Sequence, residues 1–231
     1  MDIYGQALLD QYRGKLKSKL WLYNSYGHPE DMPVDIFFRP EADMPELEII
    51  AMDLCKGKTL DIGAGVGSHA LILQSKGIDV TALEISAKAC EIMKHRGVKK
   101  IINADILQYR SEKYDTILLL MNGIGLCEDI SGLRYFLEYI KNLILPNGQL
   151  IFDSSDIAYL YKPDEFISSN YYGEISYQYE YQKVKGNWFK WLYVDFDTLN
   201  AIGEKAGWES EVIYEDDMDQ YLVRMTLKSN K

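Results

Sequence analysis

The feature that most constrains this chain is a regular alternation between Lys58 and Asp153, in which short apolar runs are separated by segments of helical period. "KTLDI" is the first run, and "SHALILQSKG" reads as a helix closed by Gly77. "IDVTALE", "KKIINAD", "YDTILLLM" and "QLIFDSSD" supply further strands. "SAKACEIMKHRG" is a helix capped by Ser86 and ended by Gly97. "DISGLRYFLEYIKNLI" is another, stopped by "LPNG". "YDTILLLM" is apolar on both faces, as suits a central parallel strand. Strands alternating with helices of this length predict an α/β fold, a mostly parallel sheet with helices on both faces.

The flanks differ. Residues 1–50 read as helix and then as loop around Pro29, Pro33, Pro40 and Pro45, a cap before a domain spanning 51–231. After Asp156, "GEISYQYEYQ" alternates strictly. Ile175, Tyr177, Tyr179 and Tyr181 share one face, and Ser176, Gln178, Glu180 and Gln182 the other. With the turn "KVKGN" and the run "WFKWLYVDF", this predicts an inserted β-hairpin at about 171–196. The tyrosine stripe reads first as a packed face. "DTLNAIGEKAGW" is then a helix, and "ESEVIYED" and "YLVRMTL" are strands.

Composition removes several function classes. The 231 residues suit one large domain or a domain with a small appendage. A net charge of −10 repels a polyphosphate backbone, and the densest basic run, "YRGKLKSKL", is short. No nucleic-acid partner is expected. Three widely spaced cysteines and three unclustered histidines give neither a disulfide framework nor a metal pattern. No apolar run approaches the roughly 18 residues of a membrane span. The polar, acid-bearing N-terminus does not read as a signal peptide, so a cytoplasmic protein without a membrane partner is expected.

The chemistry concentrates in "TLDIGAGVGSHA". Glycines 63, 65 and 67 follow a strand and open a helix, which brings backbone N–H groups to a ligand. The dinucleotide spacing G-x-G-x-x-G fails here, because Ser68 stands where the third glycine would. Asp61, two residues before Gly63, would repel a pyrophosphate but attract a cationic amino-acid tail and sulfonium. S-adenosylmethionine fits that description, and NAD does not. Glu84 ends the second strand, where an acid accepts hydrogen bonds from both ribose hydroxyls. Asp105, followed by Ile106, ends the third, where an acid takes an adenine amino group or serves as a turn residue. His69 reads as an ordinary helix position.

Together, "LDIGAGVG", "VTALEIS", "NADI" and "YDTILLLMNGIG" resemble the successive motifs of class I S-adenosylmethionine-dependent methyltransferases. The resemblance is strong over about 45–155, and the terminal "AGW…YLVRM" unit is similar to the last helix and antiparallel strand pair of that Rossmann-like fold. It implies a cofactor site of Asp61, Gly63, Gly65, Gly67, Glu84, Asp105, Ile106 and Asn122. It also implies that Asn122 faces the methyl group and that Asp153 is the acid nearest the acceptor. "MNGIG" departs from the Asn/Asp-Pro-Pro-aromatic motif of enzymes that methylate base or glutamine nitrogens. A small-molecule acceptor is therefore expected, under a lid of the N-terminal segment and the hairpin aromatics Tyr171, Tyr172, Trp188, Phe189 and Trp191. A non-catalytic cofactor-binding module is the alternative, and an RNA or protein methyltransferase is less favoured.

Overall fold

The computed structural model describes residues 1–161 and 170–228, so residues 162–169 and 229–231 of the expected domain lie outside the described residues. In chain order the first elements are α1 (Ile3–Tyr12), β1 (Leu20–Asn24), β2 (Glu30–Met32), α2 (Glu46–Asp53), β3 (Lys58–Ile62) and α3 (Ser68–Ser75). Next come β4 (Asp79–Glu84), α4 (Ala87–Arg96), β5 (Ile101–Asn103), β6 (Tyr114–Leu119), α5 (Ile130–Ile140) and β7 (Ile144–Ser155). The hairpin β8 (Glu174–Tyr181) and β9 (Val184–Leu192) precedes α6 (Phe196–Lys205), β10 (Trp208–Glu215) and β11 (Gln220–Leu227).

The expected α/β sheet forms, with seven strands in the order β10-β11-β7-β6-β3-β4-β5. β3 pairs in parallel with β4 and β6, β4 with β5, and β6 with β7. β11 runs antiparallel to β7 and β10. From β3 the chain steps outward to β4 and β5, then returns to the far side of β3 at β6. That reversal opens a crevice at the carboxyl ends of β3 and β6, where open sheets of this kind take ligands.

Strand alternation feeds two cores. Leu60, Ile117, Leu119, Phe152 and Val223 pack toward Phe136 and Leu137 of α5 and Leu199 of α6. Ala82, Leu118, Ile151 and Leu222 face the opposite way, toward Met52 of α2, Leu73 of α3 and Met93 of α4. Trp208 is fully buried, and its indole N–H donates to the Leu137 carbonyl at 3.1 Å. One boundary differs from expectation. β7 begins at Ile144 rather than Gln149, and "LPNG" lies inside it at a register shift against β6. Pro146 lacks the N–H that regular pairing needs, so it sits where the ladder is interrupted.

Residues 1–50 also depart from the expectation of helix then loop. The helix is α1, but β1 and β2 follow it, and α2 crosses the expected boundary at 50. β1 pairs antiparallel with β8, giving a second sheet of four strands in the order β2-β1-β8-β9. The N-terminal segment and the inserted hairpin are thus one structure. It is tied down by Asp2, whose carboxylate accepts the Gly5 N–H at 2.7 Å and the Ser86 hydroxyl at 2.6 Å. Ser86 in turn caps α4 by accepting the Ala89 N–H. Ala7 and Leu8 of α1 pack with Val66 of the glycine loop and with Ala89 and Ile92 of α4.

The far end of this lid is fixed by Trp191 of β9, which lies against Gly125 in the helical turn Gly123–Cys127 after β6. A Cβ at Gly125 would fall inside the indole, although its backbone φ is not positive. We therefore expect Gly125→Ala to lower stability in urea unfolding by about 1–3 kcal/mol, the usual cost of overpacking. Adding Trp191→Leu should recover part of that loss, and strictly additive effects of the two substitutions would count against the contact.

Candidate active site

The crevice opens into a cavity of about 1010 Å³ between the strand ends and the lid. Its floor begins where β3 ends. Gly63, Gly65 and Gly67 have φ of 70°, 54° and 82°. Gly67 needs glycine twice over, for that backbone and because a Cβ would lie 2.8 Å from Val98 Cγ2. The Gly65 N–H points into the sheet and donates to Glu84 Oε2 at 2.9 Å. The Ser86 N–H donates to the other oxygen, Oε1, at 2.8 Å. Two backbone donors therefore hold Glu84 in one orientation on the cavity wall. Burial raises its pKa, and those two hydrogen bonds pull the other way.

Asp61 is 2% exposed and lines the same cavity. Its Oδ2 has no hydrogen-bond partner among the described residues. Burial pushes its pKa up to about 6, with nearby His69 pulling it down. A buried carboxylate aimed into a cavity, with an oxygen unclaimed, is a site for a cationic group. Asp105 also lines the cavity, with one oxygen taken by the Leu107 N–H at 2.9 Å. Ile106 stands beside it on the wall, buried to 6% exposure.

The structure adds a group that sequence reasoning missed. Glu48 of α2 accepts from Arg39 through Oε1 and lies 2.7 Å from His69 Nε2 through Oε2. Arg39, Glu48 and His69 all line the cavity beside Asp61. Burial would raise the Glu48 pKa, but the bond to His69 and the charges of His69 and Arg39 hold it below its ordinary value. His69 is thus a buried wall residue rather than an ordinary helix position. The signal for it was its place one residue after the glycine loop; Arg39 and Glu48 carried no local signal.

Two expected residues are not brought to the cavity. Asn122 accepts the Ser155 hydroxyl at 3.0 Å through its side chain, and its own N–H donates to Asp153 Oδ2 at 2.8 Å. Asp153 is fully buried and also accepts from Gln220 Nε2 at 2.7 Å. Neither lines the cavity; Asp153 braces the loop in which Met121 and Asn122 take φ of 61° and 56°. The lid aromatics divide as well. Tyr179, Phe189 and Trp191 line the cavity, whereas Trp188 is 54% exposed on the other face of β9. Tyr171 and Tyr172 turn to Asp195 instead.

The fold and this row of strand-end acids define a class, the Rossmann-like methyltransferases. Comparisons with known proteins agree. The "Methyltransferase domain" family matches residues 60–152. A solved S-adenosylmethionine-dependent methyltransferase from Bacteroides fragilis, in complex with S-adenosyl-L-homocysteine, is 38% identical, with a TM-score of 0.92 over 99% of this chain and 95% of that one. The CcbJ methyltransferase from Streptomyces caelestis is 11% identical, with a TM-score of 0.63 over 98% of both chains. The sugar N-methyltransferase KedS8 from Streptoalloteichus sp. is 15% identical, with a TM-score of 0.58 over 88% of this chain and 96% of that one. The comparison with curated proteins finds no significant match. The chain belongs to the S-adenosylmethionine-dependent methyltransferases. Among the described residues no helix is long and apolar enough to cross a membrane, and no cluster of three or more metal-ligating side chains occurs.

The buried acids make stability depend on pH. Asp61 and Asp153 both titrate near 6 in the fold, against an ordinary 3.8. Between those values the folded state binds more protons than the unfolded one, so stability falls as pH rises through that window. Glu48, with its lowered pKa, works in the opposite direction only near and below its ordinary 4.5. The melting temperature of the free protein should therefore rise as pH is lowered from about 6.5 to about 5. Calorimetric scans of wild type, Asp61→Asn and Asp153→Asn test this, since each substitution should flatten the slope.

Proposed function

We propose that the protein transfers the methyl group of S-adenosylmethionine to a small molecule enclosed beneath the lid. The observation that carries this reading is the single cavity joining the strand-end acids to an aromatic roof. At about 1010 Å³ it sits at the top of the roughly 300–1,000 Å³ range of small-molecule sites, which suits two ligands side by side. Its roof is the chain's own α1 and second sheet, and the protein's net charge of −10 opposes a nucleic-acid substrate.

When bound, the cofactor supplies an electrophilic methyl group on a sulfonium. The chain's residues bind and orient. Asp61 takes the tail ammonium, which supplies the counter-charge its unpartnered oxygen lacks. Arg39, held by Glu48, offers its remaining donors to the tail carboxylate. Glu84, positioned by the Gly65 and Ser86 N–H groups, accepts from the ribose hydroxyls. Asp105 and Ile106 flank the adenine, and Gly63 and Gly67 shape the loop. Positioning the acceptor in line with the methyl group is then the main catalytic work.

A competing reading, a cofactor-binding module without transfer activity, is separated by experiment. Labelled methyl groups should pass from S-adenosylmethionine into a low-molecular-weight metabolite extract. Trp191→Ala should reduce that transfer while leaving adenosylhomocysteine binding nearly intact, and Trp188→Ala should change neither. Equal loss in both variants would remove the lid from acceptor selection.

Cofactor binding gives an independent test by calorimetry. Glu84→Ala should weaken adenosylhomocysteine by about 1.5–3 kcal/mol, the range for hydrogen bonds to a charged group. Asp61→Asn should weaken it too, yet raise the melting temperature of the free protein, because it removes a buried charge. Unchanged affinity in both variants would place these acids outside the site.

A further inference from the structure

We infer that the acceptor is a small amine, held between the Glu128 carboxylate and the aromatic wall of the lid. The inference rests on the methyl-transfer reading above. It begins with a division of the cavity's charged groups. Asp61, Glu84 and Asp105 lie at the strand ends. Of the cations on the wall, Arg39 and His69 are both bonded to Glu48, and Lys88 donates to the Asp2 carbonyl at 3.5 Å, beside α4. On the acceptor side, around the loop after β6, Glu128 is the charged wall residue.

Glu128 is an exposed residue of the cavity wall and has an unusual backbone. Its φ and ψ are 70° and −50°, and the Asp129 N–H donates to the Cys127 carbonyl at 2.8 Å. This is a γ-turn of the rare positive-φ kind. The nearby cation Lys190 is drawn to Asp129 instead, at 3.1 Å. No hydrogen bond or ion pair holds the Glu128 carboxylate among the described residues.

The same cavity is lined by a continuous run of aromatics, which begins beside Gly65 and Glu84 and ends at Trp191. Phe37 meets Tyr4 edge-on at 5.3 Å, Tyr4 stacks on Tyr179 at 5.4 Å, Tyr179 stacks on Phe189 at 5.1 Å, and Phe189 meets Trp191 at 6.4 Å. An acid and π surfaces that line one cavity suit a cation. The same arrangement offers no counter-charge for a phosphate or carboxylate acceptor. It also brings no imidazole to the acceptor side, since His69 is engaged with Glu48 beside Asp61. A hydroxyl acceptor needs a base as it attacks; a free amine does not. The bound ammonium first releases one proton to solvent; the freed lone pair then forms the N–C bond, the C–S bond breaks with its electrons left on sulfur as a neutral thioether, and the positive charge returns to nitrogen.

The test uses the filtered metabolite extract before and after its primary and secondary amines are blocked by acetylation. Label should enter the untreated extract and be lost from the acetylated one. Label that persists after acetylation would overturn the amine assignment while leaving methyl transfer standing. No label in the untreated extract, with adenosylhomocysteine still bound, would overturn the transfer reading and this inference together. On the labelled acceptor fraction, Glu128→Gln should raise KM by about tenfold, equivalent to about 1.4 kcal/mol, with the adenosylhomocysteine Kd unchanged. Glu128→Asp should recover part of the effect. An unchanged KM for Glu128→Gln, or a loss of adenosylhomocysteine binding in it, would remove Glu128 from acceptor recognition.

Discussion

Burying a carboxylate without a partner costs free energy, and the crevice of this fold is built around that cost. Asp61, Glu84 and Asp153 are all nearly or fully buried at the carboxyl ends of their strands. The fold treats them differently. Glu84 receives two backbone N–H groups and is held in place. Asp153 receives the Asn122 N–H and the Gln220 amide and becomes a brace. Asp61 and Asp153 each keep one oxygen unclaimed among the described residues, and of the two it is Asp61 that lines the cavity. Carboxylates in similar positions thus differ according to which donors the neighbouring loops supply and whether they reach the cavity.

The lid depends on that floor and also controls it. Asp2 links the cap of α1 to the cap of α4, directly beyond Glu84. β1 then pairs with β8, which ties the start of the chain to an insertion far along it. The segment between β2 and α2 carries Arg39, and α2 carries Glu48, onto the cavity wall next to Asp61. Cofactor floor and acceptor roof are therefore joined through the N-terminal segment. A ligand that orders one should order the other, because α1 and the glycine loop share the packing around Val66.

The central sheet was legible because its signals are local. Apolar runs, caps and helix-ending glycines occur in order from Lys58 to Asp153, and each states its own element. The strands β1 and β2 were not legible, since "LWLYN" becomes a strand only by pairing with β8. Arg39 and Glu48 escaped for a similar reason: a buried ion pair between a loop and a helix has no period. Asp61, Glu84, Asp105 and Ile106 were readable because strand ends of an open sheet point to a common place. Asn122 and Asp153 were expected in the site but do not line the cavity, because position at a strand end does not give side-chain direction. Two consecutive positive φ values turned the Asn122 N–H toward Asp153 and took both groups out of the cavity. The aromatics of β9 did carry a usable signal. Trp188 shares its strand parity with Lys190, and Trp191 shares its own with Phe189, so alternation alone separates the exposed pair from the cavity pair.

The same reasoning explains why the roof of the cavity carries little charge. Strand alternation across β8 and β9 sends Tyr179, Phe189 and Trp191 inward and the charged residues Glu180 and Lys190 elsewhere, so these strands line the cavity with π faces and no charge. The charged residue that the loop after β6 adds to the wall is Glu128. That loop already bends sharply, with positive φ at Met121, Asn122 and Glu128. The first two bends are stabilised by Asp153 from below; the third ends in the cap of α5, where Asp129 accepts the Gly132 N–H and pairs with Lys190 of β9. The contact that fixes the loop to the lid is thus made by Asp129, and its neighbour Glu128 is left on the cavity wall. Adjacent acids on a tight turn point in different directions, which is how one short segment both closes the cavity and places a charge in it.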